Sequence, residues 1–351
     1  MNLSIEKYKD KGLSGLANLG NTCYINSTMQ ILSHCYVFNE LLEKINLKIL
    51  NDNNDSILLL EWKNLKDLMW SKNCTIAPNR FIENIHKISK SKNLELFSGL
   101  AQNDLPEFLM FIIDCFHNSL KRKVNISISG KTKNETDLLA KNCYKMIKEI
   151  YSETYSELLD FFYGIHFSCI ESIYSGEQIS IKPEPYCLLS LSIPHNNNSN
   201  SCTLYDCFDH YIIKELLNGS NAYYNEKKEK KEDVYKYINF WNFPNILIID
   251  LKRFNNLNKK INILVEFPIT NLDLRKYVCG YDKETYIYDL FGITNHSGGC
   301  LGGHYTSFVK NANNNWYHFN DTDVSQINEN NLITNKAYCL FYIKKSIIKN
   351  F

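Results

Sequence analysis

The stretch from Gly15 to Ser27 reads Gly-Leu-Ala-Asn-Leu-Gly-Asn-Thr-Cys-Tyr-Ile-Asn-Ser, and it places Cys23 where a helix should begin. The Asn- and Gly-rich run before Cys23 cannot extend a helix backwards, whereas apolar residues after it recur at the spacing of one helix face. Those residues are Ile25, Met29, Leu32 and Tyr36. At a helix N-terminus, unpaired N–H groups and the positive end of the dipole stabilise a thiolate and lower the thiol pKa. Alone, the stretch predicts either a cysteine nucleophile or a small buried hydrophobe at Cys23.

The composition is that of a folded globular protein without a global charge bias. The 351 residues are 44% hydrophobic, enough for one large domain or two ordinary ones, and the formal net charge is +1. No global attraction to nucleic acid or to an anionic membrane follows, so partners of those kinds are not expected. No apolar run approaches the roughly 18 residues of a membrane span, and the first residues lack the apolar core of a signal peptide. We expect a soluble, intracellular monomer of cytoplasm or nucleus with its twelve cysteines reduced.

Two further motifs lie far downstream of Cys23. A cysteine nucleophile needs an imidazole base from another part of the fold. Residues 302–308 read GGHYTSF and contain His304, and residues 316–321 read WYHFND. Together with GLANLGNTCYINSTMQ around Cys23, these boxes resemble the ubiquitin-specific proteases, which are papain-like cysteine deubiquitinases. The resemblance covers roughly residues 12–343.

The resemblance implies a role for each of five residues at the reacting centre. Cys23 is the nucleophile that attacks the carbonyl of the Gly-Gly C-terminus of ubiquitin, and His304 takes the thiol proton and then protonates the leaving amine. Asn320 orients the imidazole, and Asp321 supports the site. Asn18 stabilises the oxyanion together with the backbone N–H of Cys23. Without the resemblance, Asn18 and Asn320 would be interpreted as turn residues.

A third motif, QNDLPEF at residues 102–108, opens an apolar helical stripe and resembles the family's QQDAxEF box. Asp104 and Glu107 are spaced as a helix-capping pair. The resemblance implies that Gln102, Asp104 and Glu107 help to hold the basic tail of ubiquitin. Both interpretations of the two carboxylates can hold together.

Substrate contacts are also implied around His304, from His296, Gly302, Gly303 and Tyr305. The glycine pairs at 298–299 and 302–303 suggest a mobile loop that approaches the two glycines of the tail closely, with a plain β-hairpin turn as the alternative. His296, Cys300 and His304 are spaced by four, which on a helix would gather three metal ligands. The surrounding glycines argue against a helix, so we expect no metal there.

Helical patterns run from residue 23 to about 121, and strand patterns dominate from Phe161 onward. One predicted helix face comprises Ile57, Leu60, Leu65, Leu68 and Met69. Residues 121–142 are interpreted as a surface insertion, 196–201 as a polar loop, 204–217 as a short helix and 225–233 as a solvated charge run. The strongest strand pattern is Ile246 to Leu251.

The fold that the resemblance implies is α+β, the papain-like cysteine protease fold of the ubiquitin-specific protease type. We expect one catalytic domain at residues 13–345. It would comprise a helical thumb at 13–160, β-ribbon fingers mainly at 161–240 and a β-rich palm mainly at 241–345.

The finger tips of many family members are held by zinc between two Cys-x-x-Cys pairs. Here the first pair would fall at Cys169 and Ser172 and the second at Asn225 and Lys228, so only one thiol remains. We therefore expect fingers without metal and a protein without a cofactor. Strand pairing and apolar contacts from Phe167, Ile173 and Tyr224 should hold the fingers instead.

These patterns predict a deubiquitinating thiol protease that acts on ubiquitin and ubiquitinated proteins. Two alternatives stay open. One is a protease for another ubiquitin-like modifier with a similar tail. The other is a pseudoenzyme that binds ubiquitin without cleaving it, although intact Cys23, His304, Asn320 and Asn18 argue against it. Neither the preferred chain linkage nor the protein substrate follows from the sequence.

Overall fold

Helices dominate the first half of the chain and strands the second, as an α+β fold requires. The computed structural model describes residues 5–45, 50–99, 101–194, 200–300 and 302–348. Most of the polar loop predicted at 196–201 lies outside these residues. Within the described ranges, no helix is both long enough and apolar enough to cross a bilayer.

Nine helices are described, and the first five fill the stretch that was predicted to be helical. They are α1 Cys23–Ser33, α2 Tyr36–Lys44, α3 Asn54–Ser71, α4 Asn79–Ser91, α5 Leu105–Leu120, α6 Glu135–Tyr151, α7 Glu157–Phe162, α8 Leu204–Tyr211 and α9 Lys345–Ile348. The prediction of helix between residue 23 and about 121 is confirmed.

Helix α1 begins at Cys23, as predicted, but it is shorter than the apolar spacing indicates. Each of its eleven residues is buried, and the helix ends at Ser33. His34 leaves the helix because its N–H closes a tight turn onto Ile31 and its imidazole Nδ1 lies 2.8 Å from the carbonyl of Gln30. Tyr36, the fourth residue of the predicted stripe, therefore opens α2.

The face predicted for α3 is partly wrong. Ile57 and Leu68 are 47% and 56% exposed. The buried stripe instead comprises Leu58, Leu59, Trp62, Leu65 and Met69. Asn53 caps the helix by accepting a hydrogen bond from the N–H of Ser56, and the stripe that follows this cap keeps the spacing of one helix face.

Eighteen strands are described in the same ranges. They are β1 Gly15–Leu16, β2 Thr75–Ile76, β3 Gly164–Ser172, β4 Gln178–Tyr186, β5 Leu188–Ser192, β6 Ser201–Thr203, β7 Glu215–Leu217, β8 Tyr223–Asn225, β9 Lys230–Glu232, β10 Val234–Asn242, β11 Ile246–Lys252, β12 Leu264–Glu266, β13 Leu272–Asp273, β14 Ile287–Gly299, β15 Gly302–Lys310, β16 Trp316–Asn320, β17 Asp323–Ile327 and β18 Ala337–Lys344.

The main sheet has the order β17-β16-β15-β14-β18-β11-β5, with β13 paired to β14. Its strands are antiparallel except for β5, which runs parallel to β11. The strand predicted at Ile246 to Leu251 is confirmed, and its alternate side chains point to opposite faces. Ile248 packs in the core shared with α1, whereas Leu247 packs in a second core with α8.

A second sheet of four antiparallel strands has the order β4-β3-β10-β7. The helix that covers this sheet, α6, begins within the segment predicted as a surface insertion. Asn134 caps the start of the helix, and three of its residues are buried. A small apolar cluster joins this helix to the sheet. It contains Ala140, Cys143 and Met146 of α6, Ile165, Phe167 and Cys169 of β3, and Trp241 of β10.

Three further predictions around this sheet are corrected. Phe161 and Phe162 end α7 rather than starting a strand. The predicted helix at 204–217 ends at Tyr211, and residues 215–217 form β7. Tyr224 is 54% exposed in the β8–β9 hairpin and so does not supply the apolar contact predicted for it, whereas the charge run at 225–233, which overlaps this hairpin, is mostly exposed as predicted.

Candidate active site

A tight loop delivers Cys23 to the start of α1. Gly20 and Asn21 have φ values of 101° and 56°, in the left-handed region that glycine and asparagine tolerate. The side-chain oxygen of Asn18 accepts hydrogen bonds from the N–H groups of Gly20 and Thr22, both at 3.1 Å. Cys23 is 3% exposed in the free protein. The side-chain oxygen of Asn18 thus stabilises the turn, as the interpretation of Asn18 as a turn residue predicts.

The pKa of the Cys23 thiol is raised, so the predicted lowering is wrong for the unliganded chain. Burial is the largest cause, and the backbone N–H of Tyr305 acts in the opposite direction. The charge of Asp321 adds to the raising effect. Loss of hydration thus outweighs the helix N-terminus at this position.

His304 lies on β15, and a residue of the adjacent strand β16 holds its ring. The Nε2 atom of His304 is 2.6 Å from the side-chain oxygen of Asn320, at the end of β16. Because a carbonyl oxygen only accepts, Nε2 carries the proton in this pair. The other ring nitrogen, Nδ1, is thereby left with its lone pair. The arrangement is the one expected if Asn320 orients the imidazole.

Asp321 connects three segments of the chain at the edge of the site. Its carboxylate accepts hydrogen bonds from the side-chain amides of Asn26 at 2.8 Å and Asn18 at 3.0 Å. Its backbone carbonyl accepts from the N–H of Leu16 at 2.8 Å. Asp321 itself has φ 51°, a left-handed conformation that aspartate tolerates better than most residues.

Asn26 was missed at the level of sequence. It is 2% exposed on α1, three positions after Cys23, and its amide also donates to the carbonyl of Leu16 at 3.2 Å. The available signal was an amide three positions after the predicted nucleophile, next to the apolar stripe of the same helix. Such a residue must find buried hydrogen-bond partners.

Gly15 permits the close approach of this loop to the turn after Asp321. A Cβ atom at Gly15 would lie 2.3 Å from the backbone carbonyl oxygen of Thr322, closer than any packed atoms can be. The first residue of the stretch that places Cys23 is thus fixed as glycine by a contact with residue 322.

Gln102 joins the segment before α5 to the strand that carries His304. Its amide nitrogen donates to the carbonyl of Gly303 at 2.9 Å, and its oxygen accepts from the N–H of Gly303 at 2.6 Å. A Cβ at Gly303 would lie 2.1 Å from Nε2 of His296. The glycine pairs themselves close the β14–β15 hairpin, with Gly298 opposite Gly303 and Gly299 opposite Gly302. The hairpin alternative is therefore correct for these pairs.

The carboxylates of the third motif do not cap α5. Asp104 occupies the position before the helix without a capping hydrogen bond and instead accepts from the hydroxyls of Tyr305 at 3.2 Å and Tyr338 at 2.9 Å. Two hydroxyl donors outcompete the backbone for this side chain. Glu107 is exposed on α5, and its carboxylate forms no hydrogen bond or ion pair with another described residue.

His296 is a packed residue of the hairpin. Its ring lies 4.6 Å from that of Tyr305, and Lys260 donates to its backbone carbonyl at 2.6 Å. Burial, with the nearby charges of Lys260 and His304, lowers the pKa of His296 to about 4. His296, Cys300 and His304 belong to strands or to their connecting turn, as the glycines indicated, and not to one helix.

At the positions where the family's zinc ligands would fall, the side chains of this chain have other partners. Cys169 is buried in the small apolar cluster. The amide of Asn225 lies 2.5 Å from a carboxylate oxygen of Glu232, and Lys228 forms an ion pair with the same carboxylate at 2.9 Å. Among the residues that the structure describes, no three metal-ligating side chains are grouped.

A cavity of about 340 Å³ lies between the segment before α5, β11 and the β14–β15 hairpin, and it reaches Tyr305 but is not lined by His304. Its wall includes Gln102, Asp104, Asp250, His296, Tyr305 and Tyr338. Asp250 on β11 was missed by sequence reasoning because it interrupts an otherwise apolar strand; it is 8% exposed and accepts a hydrogen bond from Ser190 at 2.9 Å. Burial raises the pKa of Asp250 to about 7.

Comparison with known proteins identifies one family. Its model, described as ubiquitin carboxyl-terminal hydrolase, matches residues 14–342. The chain is 32% identical to ubiquitin carboxyl-terminal hydrolase Usp2 of Drosophila melanogaster over 341 residues, which is 95% of this chain and 35% of that protein. It is 26% identical to the probable ubiquitin carboxyl-terminal hydrolase R319 of Acanthamoeba polyphaga mimivirus, over 97% of this chain and 92% of that protein. The chain therefore spans about a third of the Drosophila relative.

One solved structure has the same fold over nearly the whole chain. It is the SAGA Ubp8/Sgf11/Sus1/Sgf73 DUB module bound to ubiquitin aldehyde. The TM-score is 0.71 and the sequence identity 26%, covering 96% of this chain and 70% of the matched chain.

Proposed function

Since the chain belongs to the ubiquitin carboxyl-terminal hydrolase family, we propose that it is a thiol protease that hydrolyses the bond after the C-terminal Gly-Gly of ubiquitin. The observation that carries the proposal is the pairing of His304 with Asn320 at 2.6 Å, while the next residue, Tyr305, bonds through its backbone to the thiol of Cys23 at a helix N-terminus. Ubiquitin and ubiquitinated proteins would be its partners. The solved relative that binds ubiquitin aldehyde supports this choice of substrate.

In the proposed reaction, the sulfur of Cys23 attacks the carbonyl carbon of the terminal glycine while His304 accepts the thiol proton. The tetrahedral intermediate then collapses, and His304 donates that proton to the departing lysine amine. A water molecule next attacks the thioester, losing one proton to His304, and that proton returns to the sulfur as the C–S bond breaks. The product leaves as the carboxylic acid, which releases the second proton of the water to solvent and becomes the carboxylate.

The raised pKa of Cys23 bears on how the attack begins. A raised thiol pKa favours the neutral thiol, so the proposed attack begins with transfer of the thiol proton to His304. Asn320 keeps the proton on Nε2, which leaves Nδ1 to take the thiol proton.

We assign stabilisation of the oxyanion to the side-chain amide of Asn18 and the backbone N–H of Cys23. One amide hydrogen of Asn18 is directed to Asp321 at 3.0 Å, and the second is left for the substrate. Asp321 and the loop N–H groups that bond to Asn18 would hold the amide in position before the charge develops. Asp321 is thus proposed as a positioning residue.

The cavity that reaches Tyr305 is proposed as the channel for the ubiquitin tail. Gln102, Asp104, His296 and Tyr305 line it, and Gly302 and Gly303 are proposed to meet the tail on the hairpin whose Gly299 lines the cavity. Glu107 does not line this cavity. If Glu107 binds the tail, it does so at the outer surface of α5.

For the whole domain, residues 13–345, we propose the division into thumb, fingers and palm. The helices between residues 23 and 162 correspond to the thumb at 13–160, the four-stranded sheet to the fingers at 161–240, and the main sheet to the palm at 241–345. Strand β5 lies within 161–240 but belongs to the main sheet. The boundary at residue 240 therefore does not separate all finger residues from all palm residues.

The test is a panel of probes with a C-terminal electrophile, made from ubiquitin and from other ubiquitin-like modifiers. We expect ubiquitin to label Cys23, with the adduct located by peptide mass mapping, and labelling to vanish in Cys23→Ala. Cys35→Ala is the control, because Cys35 lies beyond the end of α1 and is 2% exposed. Preferential labelling by the probe made from another modifier would indicate that this modifier, and not ubiquitin, is the substrate. Labelling of Cys35 or Cys300 would contradict the site, and binding without cleavage would indicate a pseudoenzyme.

A further inference from the structure

Another cavity, of about 480 Å³, lies where the helices meet both large sheets. Its wall is formed by the segment after α5, by α6 and α7, by the first residues of β3, by the connection between β10 and β11, and by the last residue of β18. It shares no lining residue with the proposed channel. A concave space of this size is typical of a site for a small molecule.

The wall of this cavity is mostly apolar and aromatic. Aliphatic side chains of α6, α7 and the segment after α5 line it together with four tyrosines, Tyr151, Tyr155, Tyr163 and Tyr286. The hydroxyl of Tyr151 is buried and has no hydrogen-bond partner among the described residues. An unpaired buried hydroxyl is unfavourable, so a ligand that accepts a hydrogen bond from Tyr151 would be stabilised.

Lys344, the last residue of β18, brings a positive charge to this wall. Its Nζ atom lies 3.8 Å from the centroid of the Tyr286 ring. The ammonium is partly buried and forms no hydrogen bond or ion pair with another described residue. One aromatic ring offsets only part of the cost of removing an ammonium from water, so Lys344 can gain from an anionic partner.

One carboxylate of the chain also lines the cavity, that of Asp160 on α7. It is exposed, it accepts a hydrogen bond from the hydroxyl of Tyr155 at 2.5 Å, and it forms no ion pair with Lys344. The charge that raises the pKa of Lys344 is that of Asp282, which does not line the cavity. Lys344 is therefore not neutralised within the cavity.

Charge and wall together select the kind of ligand. We propose that this cavity binds a small carboxylic acid with an apolar body, the carboxylate pairing with Lys344 and the body packing against the aliphatic and tyrosine side chains. The positive charge disfavours a cationic ligand, and the apolar wall disfavours an inorganic anion such as phosphate. The hydroxyl of Tyr151 supplies a further hydrogen bond to the ligand. None of these residues belongs to the site around Cys23, so the proposal is independent of the proposed function.

The experiment is a calorimetric titration with naphthalene-2-carboxylate, and naphthalene-2-carboxamide is the uncharged control of the same shape. We expect saturable binding of one carboxylate and binding of the carboxamide about tenfold weaker or more, the size expected for a hydrogen bond to a charged group. Lys344→Met should weaken binding of the carboxylate by a similar factor, and Tyr151→Phe by about threefold. Lys345→Met is the matched control, because Lys345 donates to Asn271 and does not line the cavity.

The pH dependence gives a readout that needs no variant. Burial lowers the pKa of Lys344 to about 8, and a bound carboxylate favours the ammonium, so affinity should fall as the pH rises through about 8. The other titratable groups near Lys344 or lining the cavity are Asp282, Tyr286, Tyr288, Asp160, Tyr151, Tyr155 and Tyr163. Burial raises the pKa of Tyr151 and of Tyr286 to about 12, so both stay neutral in this range.

The melting temperature without ligand shows whether each variant is folded. The proposal is overturned if no saturable binding of the carboxylate is found at millimolar concentration, or if carboxylate and carboxamide bind equally well. Equal affinities of folded Lys344→Met and Lys345→Met would also overturn it, because binding would then occur elsewhere. A constant affinity of the unaltered protein between about pH 7 and pH 9 would contradict the pairing with Lys344.

Discussion

At the junction formed by Leu16, Asn18, Asn26 and Asp321, the buried amide of Asn26, the exposed amide of Asn18 and one carboxylate join segments that are 295 and 303 positions apart. The four-stranded sheet is joined by backbone pairing and by a seven-residue apolar cluster under α6. Hydrogen bonds have strict geometry, whereas apolar packing tolerates substitutions of similar volume. The junction should therefore respond sharply to small changes that the sheet absorbs.

The largest effect is expected for Asn320→Ala at the edge of the junction. Without an acceptor at 2.6 Å, the imidazole of His304 loses its fixed tautomer, and kcat should fall by about a hundredfold or more while KM changes little. Steady-state kinetics with a fluorogenic ubiquitin substrate measures both constants.

Asp321→Asn is the matched variant. Its amide offers one acceptor where two donors, Asn18 and Asn26, now bond, so it should lower the free energy of unfolding by about 1–3 kcal/mol as well as kcat. Near-normal turnover in Asn320→Ala, together with complete loss in Asp321→Ala, would show that the two roles are reversed.

The second effect concerns Gly15→Ala. The added methyl would lie 2.3 Å from the carbonyl oxygen of Thr322, so the turn after Asp321 must shift, and we expect a loss of about 2 kcal/mol or more with reduced kcat. Denaturant unfolding measures the loss. Gly99→Ala is the control, because its Cβ would meet no described atom within 4 Å. Equal free energies of unfolding for the two variants would contradict the steric constraint proposed for the junction.

A smaller effect is expected in the four-stranded sheet for Cys169→Ser. Cys169 is 2% exposed in the apolar cluster, so a buried hydroxyl should cost about 1–2 kcal/mol while kcat is retained. Cys74→Ser, at an exposed thiol, should stay within about 0.5 kcal/mol of the parent. Cooperative collapse of the sheet in Cys169→Ser would instead indicate that this thiol binds a metal.

No change is expected on treatment with a strong zinc chelator. Asn225 and Lys228 are bonded to Glu232, so the predicted second pair of ligands has no metal-binding side chain. Melting temperature and turnover should be the same before and after dialysis against the chelator, since there is no metal-linked folding energy to lose. Stoichiometric zinc by elemental analysis, with destabilisation by the chelator, would contradict this prediction.

Local patterns predicted the parts of the fold in which sequence neighbours decide the structure. The start of α1 at Cys23 follows from the loop that precedes it, and β11 follows from its apolar run. The prediction failed where distant residues decide. Asp104 has a capping position but bonds to Tyr305 and Tyr338, which lie some 200 positions away or more.

The same limit applies to the site. Motifs bring Cys23, His304 and Asn320 to attention, but the pKa of Cys23 depends on burial and on Asp321, which no local pattern encodes. Asp250 was missed because it is a single carboxylate in an apolar strand, and Asn26 because its partner Asp321 lies 295 positions away. The strand β17 was also missed, since it lies at the edge of the sheet and is mostly exposed.

The hydrogen bonds of Asp321 to Leu16, Asn18 and Asn26 also set a rule for synthesis of the protein. During translation the loop before Cys23 emerges early, while its anchor emerges some 300 residues later. At about 5–20 residues per second, an emerging chain would wait roughly 15–60 seconds for that anchor. A nascent or prematurely terminated chain therefore carries Cys23 without Asp321, so the junction forms only when nearly the whole described domain has been made.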